Sequence, residues 1–158
     1  MSPVIRKMKI PDLDEVIKIE KIVFPDPWSR KSFQFEIIVN KYSHPLVLAV
    51  DNKLIGYAVI WKIFEEFHIA NIAIDPNFQG KGWGTYFLTE ILKQVTDQKY
   101  CLLEVRENNL TAIHIYKKLG FKKDSIRYRY YTNGDSAIVM KKILHISQET
   151  DSKKVAKI

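Results

Sequence analysis

The run Gln79-Gly80-Lys81-Gly82-Trp83-Gly84 constrains this chain more than any other segment. It follows an apolar, strand-like stretch, Ile72-Ala73-Ile74, closed by Asp75-Pro76, and leads into a helix-like one from Thr85 to Thr96. Glycines between a strand and a helix let the backbone approach a ligand with no Cβ in the way. They also gather N–H groups at the positive end of the helix dipole, which suits a phosphate or pyrophosphate. Lys81 adds a positive charge. Spacing excludes two familiar phosphate motifs. The Walker pattern Gly-x4-Gly-Lys-Ser/Thr is absent, and Gly84 follows Gly82 too soon for the dinucleotide pattern Gly-x-Gly-x-x-Gly. For the glycines alone, the plain alternative is a tight turn that holds no ligand.

The segments around this turn alternate in period. Val4 to Met8 reads as a strand, and Pro11-Asp12 opens a helix whose Leu13, Val16, Ile17, Glu20 and Val23 share one face. Phe24-Pro25-Asp26-Pro27-Trp28-Ser29 interrupts it, because the two prolines forbid regular helix. Ser29 is placed to cap a second helix reaching about Val39. Leu46 to Val50 and Leu54 to Phe64 read as a hairpin around Asp51-Asn52-Lys53, followed by a strand from Phe67 to Asp75. Beyond the glycine turn come a helix, a strand from Tyr100 to Arg106, and a helix from Leu110 to Leu119 ended by Gly120. The segments Phe121 to Tyr131 and Ala137 to Lys142 read as a last hairpin, turned by Asn133-Gly134. This order predicts an α/β (α+β) fold: one mixed sheet with helices on its faces, in a single domain over 1–144. Residues 145–158 read as a polar, flexible tail.

With 158 residues, 46% of them hydrophobic, the chain is long enough for one full core. A net charge of +7 favours anionic partners, but it is spread along the chain, so no stable nucleic-acid binding is expected. Cys101 is the only cysteine, which excludes an intramolecular disulfide and a multi-thiolate metal site. No metal is expected. The N-terminus lacks the apolar core of a signal peptide, and no apolar run approaches bilayer-spanning length; a cytoplasmic location with no membrane partner is the expectation.

A second constellation is Leu103-Glu104-Val105-Arg106-Glu107-Asn108-Asn109, followed by Ala112, Tyr116, Gly120 and Phe121. With Gln79 to Gly84, which fits Gln/Arg-x-x-Gly-x-Gly/Ala, it resembles the GNAT family of N-acetyltransferases, and within it the RimI-type enzymes that acetylate protein N-termini. The resemblance spans roughly residues 3 to 143. It implies the GNAT fold, with a mostly antiparallel central sheet flanked by helices, and acetyl-CoA as cofactor. The loop Gln79, Gly80, Lys81, Gly82, Trp83, Gly84 and Thr85 would hold the pyrophosphate. The strand Ile72, Ala73, Ile74 would pair with the pantetheine arm, and Asn109 would contact it. Tyr116 would be the acid that protonates the departing thiolate, and Glu104 the general base, acting through water.

Phe24-Pro25-x-Pro27-Trp28-Ser29 resembles the substrate-side loop of N-terminal acetyltransferases, which makes Phe24, Pro25 and Trp28 acceptor-binding candidates. Arg129-Tyr130-Tyr131 resembles an Arg-x-Tyr-Tyr stretch that holds the peptide backbone, with its spacer residue missing or displaced; Tyr130 and Tyr131 join the candidates. Gly80 stands where many relatives carry an arginine.

Elementary chemistry points the same way. An α-amine has a pKa of about 7.7–8.0, against roughly 10.4 for lysine, so a carboxylate acting through one water can help to neutralise it. Backbone N–H groups on Ile72 to Ile74 can serve a developing oxyanion. Much of the acceleration is expected from holding amine and thioester together in one ternary complex.

Plain readings stand beside these. Glu104 could pair with Arg106 or a lysine, Tyr116 could pack in the core, Asn109 could only cap its helix, and Tyr128, Tyr130 and Tyr131 could be strand aromatics. His68 and His114 read as surface or packing residues, with His68 the reserve base, and Cys101 as a small buried apolar group. The expected function is transfer of acetyl from acetyl-CoA to a protein N-terminal amine, with a ribosomal protein and ribosome association as possible context. The alternatives are a small amine or lysine side chain as acceptor, hinted at by Glu65 and Glu66, or a non-catalytic acyl-CoA- or RNA-binding module.

Overall fold

The computed structural model describes residues 2–144; the expectation of a flexible tail at 145–158 lies outside them. Among the described residues, seven strands form one sheet in the order β1-β2-β3-β4-β5-β7-β6. They are β1 (Pro3–Lys7), β2 (Ser43–Val50), β3 (Lys53–Ile63), β4 (Glu66–Ile74), β5 (Tyr100–Arg106), β6 (Lys122–Arg127) and β7 (Ala137–Ile143). Every pairing is antiparallel except β4 with β5. Four helices cover the sheet: α1 (Leu13–Val23), α2 (Arg30–Ile38), α3 (Trp83–Leu92) and α4 (Leu110–Lys118).

Period decides which face each element buries. Helix α1 buries Leu13, Val16, Ile17 and Ile19 with Phe33 of α2 against Val47, Tyr57, Val59 and Ala73. Helix α3 buries Phe87, Leu88 and Ile91, and α4 Ile113, against Leu48, Ile60, Ile69, Leu103 and Val105 on the opposite face. In β5 the odd-numbered residues Cys101, Leu103 and Val105 therefore face α3 and α4. Leu102, Glu104 and Arg106 face the α1–α2 side, because successive side chains alternate.

The parallel joint positions the site. Strands β4 and β5 pair only over Glu66–Ile69 and Tyr100–Leu103. Beyond it β4 follows β3 to Ile74 while β5 follows β7 to Arg106, so the two halves of the sheet part. A β-bulge marks the parting: Val59 pairs Asn71 and Ile60 pairs Ile69, leaving Ala70 as the extra residue. A bulge bends its strand and raises the local twist. From there to Ile74, the edge of β4 toward β5 carries no ladder.

Three boundaries differ from the sequence reading. Helix α3 stops at Leu92, four residues short of Thr96; Gln94 N–H donates to Ile91 O in a tighter turn, and Lys62 Nζ captures Gln94 O at 2.7 Å. The β2–β3 turn uses only Asp51 and Asn52, both at positive φ (50° and 65°), as a two-residue hairpin turn requires. The largest difference is in the last hairpin. Strand β6 ends at Arg127, so Tyr128, Tyr130 and Tyr131 are not strand aromatics. Asn133-Gly134 does turn the chain, with Gly134 N–H donating to Tyr131 O at 2.9 Å, but inside a loop the ladder never reaches.

Candidate functional site

The glycine loop has the geometry of an anion cradle. Gly80 and Gly82 have φ of 76° and 89°, and a Cβ built on either would meet nothing within 4 Å. Gly82 caps α3, and Tyr86 N–H is the first donor inside the helix, to Gly82 O at 3.0 Å. The N–H groups of Trp83, Gly84 and Thr85 thus form the open first turn. Lys81 Nζ and Lys53 Nζ lie 5.7 Å and 5.2 Å from the Phe78 ring centre, which puts two cations beside the loop; Lys53 comes from β3 and carries no motif that marks it in the sequence. Gln79 does not point outward. Its amide donates to Ile74 O at 2.9 Å and pins the loop to the end of β4. Asn109 is the N-cap of α4, its Oδ1 accepting from Ala112 N–H at 3.2 Å.

Glu104 lies on the other side of the parting, with its side chain 13% exposed. It does not pair with Arg106. His68 of β4 places Nε2 2.7 Å from Glu104 Oε2, and the imidazole donates, since an ionised carboxylate can only accept. Glu66 stands 3.7 Å from His68 Nδ1, and Arg127 Nη2 3.9 Å from Glu104 Oε1. The Trp61 ring meets His68 edge-on at 5.2 Å and fixes its plane. Glu65 faces Lys99 at 3.4 Å, as Glu66 faces His68, so each of these two acids stands beside a basic side chain.

Arg106 holds another group of residues together. Its Nη2 contacts Asp26 Oδ1 at 2.5 Å; its Nη1 contacts Asp135 Oδ2 at 2.8 Å and Asn133 Oδ1 at 3.1 Å. Its guanidinium lies on the Tyr131 ring, 3.8 Å from the centre. Tyr130 sits edge-on to Tyr131 at 5.0 Å and under Arg127. Burial, only partly opposed by Arg106, pushes the Tyr131 hydroxyl up to about 12. Phe24 and Trp28 are half-buried against the α1–α2 core, while Pro25 is exposed. Trp28 N–H donates to the buried carboxylate of Glu20 at 2.9 Å.

Tyr116 packs on α4 against Phe121, with ring centres 5.9 Å apart. Burial raises its hydroxyl well above the ordinary tyrosine value, with neighbouring Tyr131 adding to the effect, so Tyr116 keeps its proton at neutral pH. Cys101 is fully buried and its thiol is pushed up by desolvation, which leaves it no nucleophilic role. His114, read as a surface or packing residue, is exposed.

The model of the GNAT acetyltransferase family matches residues 13–121. The chain belongs to the GNAT acetyltransferase family. It is 40% identical over 139 residues to a Bacillus subtilis protein provisionally named ribosomal protein bS18-alanine N-acetyltransferase, covering 86% of this chain and 92% of that one. The Salmonella typhimurium enzyme of that name is 33% identical over 137 residues, 82% and 89% of the two chains. The crystal structure of the ribosomal-protein-S18-alanine N-acetyltransferase from Escherichia coli superposes with a TM-score of 0.79 at 29% identity, over 92% and 96% of the two chains. The single-domain fold and mostly antiparallel sheet are those of the family. Its cofactor, acetyl-CoA, fits the residues present: an open glycine cradle with room at its Cβ positions, and a β4 edge that no strand pairs beyond Ile69, where Gln79 takes the Ile74 carbonyl.

Proposed function

We propose that this protein acetylates the N-terminal α-amine of proteins. The supporting observation is Glu104, a shielded carboxylate held by His68 at the parting of β4 and β5, with Trp28 on one flanking loop and Tyr130 and Tyr131 on the other. Relatives named for the alanine N-terminus of bS18 make a ribosomal protein the first acceptor to try, with the enzyme working in the cytoplasm and reaching ribosomal substrates there.

Acetyl-CoA supplies an acetyl group activated as a thioester. The loop from Gln79 to Thr85 binds the cofactor's phosphates through N–H groups and Lys81, and Ile72, Ala73 and Ile74 offer backbone to its extended arm. Asn109 holds the start of α4 in place beside that arm. On the acceptor side, Glu104 takes a proton from the α-ammonium through water. This step is modest, because an α-amine titrates near pH 8, at about 7.7–8.0. His68 keeps the carboxylate oriented. Tyr116 holds its proton on Oη until the acyl group has moved. Phe24, Pro25, Trp28, Tyr130 and Tyr131 shape the entrance, and residues 1–144 carry the activity.

The test is acetyl transfer to short peptides with different free N-termini, beside N-terminally blocked peptides that carry a lysine. Modification of free N-termini alone is expected, with kcat lowered about 100-fold by Glu104→Gln and by Tyr116→Phe. Acetylation of the blocked lysine peptides would move the acceptor to side chains. Tight acetyl-CoA binding without turnover of any peptide would leave a small amine acceptor or a binding module.

A further inference from the structure

Arg106 lies two residues beyond Glu104 on β5 and on the same face, with its side chain only 12% exposed. Its partners come from two remote loops: Asp26, 80 positions away, and Asp135, 29 positions away. The first loop, 24–29, is irregular because of its prolines. The second, 128–136, has left the β6–β7 ladder and contains Arg129 at a φ of 51°. These are the two loops that carry Phe24, Pro25, Trp28, Tyr130 and Tyr131. The second is also internally braced, Asn133 Nδ2 donating to Asp135 Oδ2 at 2.9 Å.

We propose that Arg106 is a positioning residue that straps both walls of the acceptor groove to the strand bearing the candidate base. The inference rests on the acceptor reading above. Only a planar fork serves all partners at once. One nitrogen meets Asp26, the other meets Asp135 and Asn133, and the flat face takes Tyr131. Lysine would keep the charge and lose the geometry. The two carboxylates are held close by the cation between them and would repel each other without it. The Nε atom is buried with no partner among the described residues, a desolvation cost that the contacts at the two Nη atoms must offset.

The experiment combines hydrogen exchange with steady-state kinetics on Arg106→Lys, Asp26→Asn and Asp135→Asn. Arg106→Lys is expected to speed exchange in both loops while α3 and α4 stay protected. Asp26→Asn should loosen only 24–29, and Asp135→Asn only 128–136. With an N-terminal peptide as acceptor, Arg106→Lys should raise the peptide KM about tenfold or more and leave the acetyl-CoA KM within about twofold.

Unchanged exchange in both loops overturns the strap. So does loosening of both loops with no change in peptide KM. Equal rises in both KM values mark a general loss of structure and overturn the positioning role. Should Arg106→Lys not fold, the aspartate variants carry the same test, each through its own loop and the peptide KM. A wild-type protein that modifies no peptide overturns the acceptor reading instead, and the exchange pattern then decides the strap by itself.

Discussion

Glu20 shows what one residue can do in this fold. It is 1% exposed, yet it lies on the apolar face of α1. Its carboxylate accepts from Tyr57 Oη at 2.6 Å, Asn71 Nδ2 at 2.9 Å and Trp28 N–H at 2.9 Å. A buried charge is tolerated when its oxygens are saturated in this way. Burial and the Glu20 charge together raise the Tyr57 hydroxyl far above its ordinary value, so it stays a donor. Asn71 adjoins the Ala70 bulge, and Trp28 belongs to the substrate-side loop, so one carboxylate fixes both. Glu20→Gln replaces one oxygen with a donor and sets N–H against N–H or O–H. We expect a loss of roughly 2 kcal/mol, seen as a lower midpoint in urea unfolding with an unchanged slope. The sequence places Glu20 on that helix face without revealing its partners, which lie 8, 37 and 51 positions away.

Among elements, strand β3 and the loop that leads from β4 into α3 show two uses of glycine. Gly82 adopts left-handed φ with open space around it, so its substitution strains the backbone without a clash. Gly56 lies mid-strand, where a Cβ would meet Ile74 Cδ1 at 2.7 Å and Ala73 O at 2.9 Å. Gly82→Ala is expected to cost about 1 kcal/mol of stability and to raise the acetyl-CoA KM, because the new methyl stands in the cradle. Gly56→Ala is expected to cost roughly 1–3 kcal/mol through packing alone. Thermal unfolding beside cofactor titration distinguishes the two: a Gly82→Ala variant with native cofactor affinity would remove the loop from the cofactor site.

For the whole molecule, the outer strand β1 is tied to the start of the α1 segment by charge. Arg6 grips Asp12 with two contacts of 2.8 Å, and Asp12 also accepts from Lys9 N–H at 2.8 Å. The Arg6 hydrogen bond, assisted by the Lys9 N–H, holds the Asp12 carboxyl below its ordinary value of 3.8. A carboxyl depressed in the folded state stabilises the protein above the unfolded-state value. That contribution is lost as pH falls through the folded one. Because Arg6 is 43% exposed, solvent screens the pair, and about 1 kcal/mol is a reasonable size. Asp12→Asn should therefore be less stable than wild type by that amount at neutral pH, and the gap should close progressively below about pH 4. A gap that persists at low pH would assign the effect to packing. Among the described residues, no helix is long and apolar enough to cross a membrane.

What the sequence determined by itself was local. Element order follows from hydrophobic period, the cap of α2 from Ser29, and the glycine turn ahead of α3 from Gly80, Gly82 and Gly84, since each depends on neighbours within a few positions. The resemblance in Gln79 to Gly84 and Glu104 to Phe121 named the family on the same footing. Tertiary structure alone decided what these residues meet. Gln79 turns inward to Ile74. Glu104 pairs with His68, 36 positions away, instead of with Arg106 beside it on the strand. Tyr130 and Tyr131 leave the hairpin that Asn133-Gly134 promised. The reason is one of energy and distance. The pull of a turn sequence is small beside the burial of Tyr131 on a guanidinium already held by two carboxylates, and no local pattern records a partner brought close by a sheet that parts between β4 and β5.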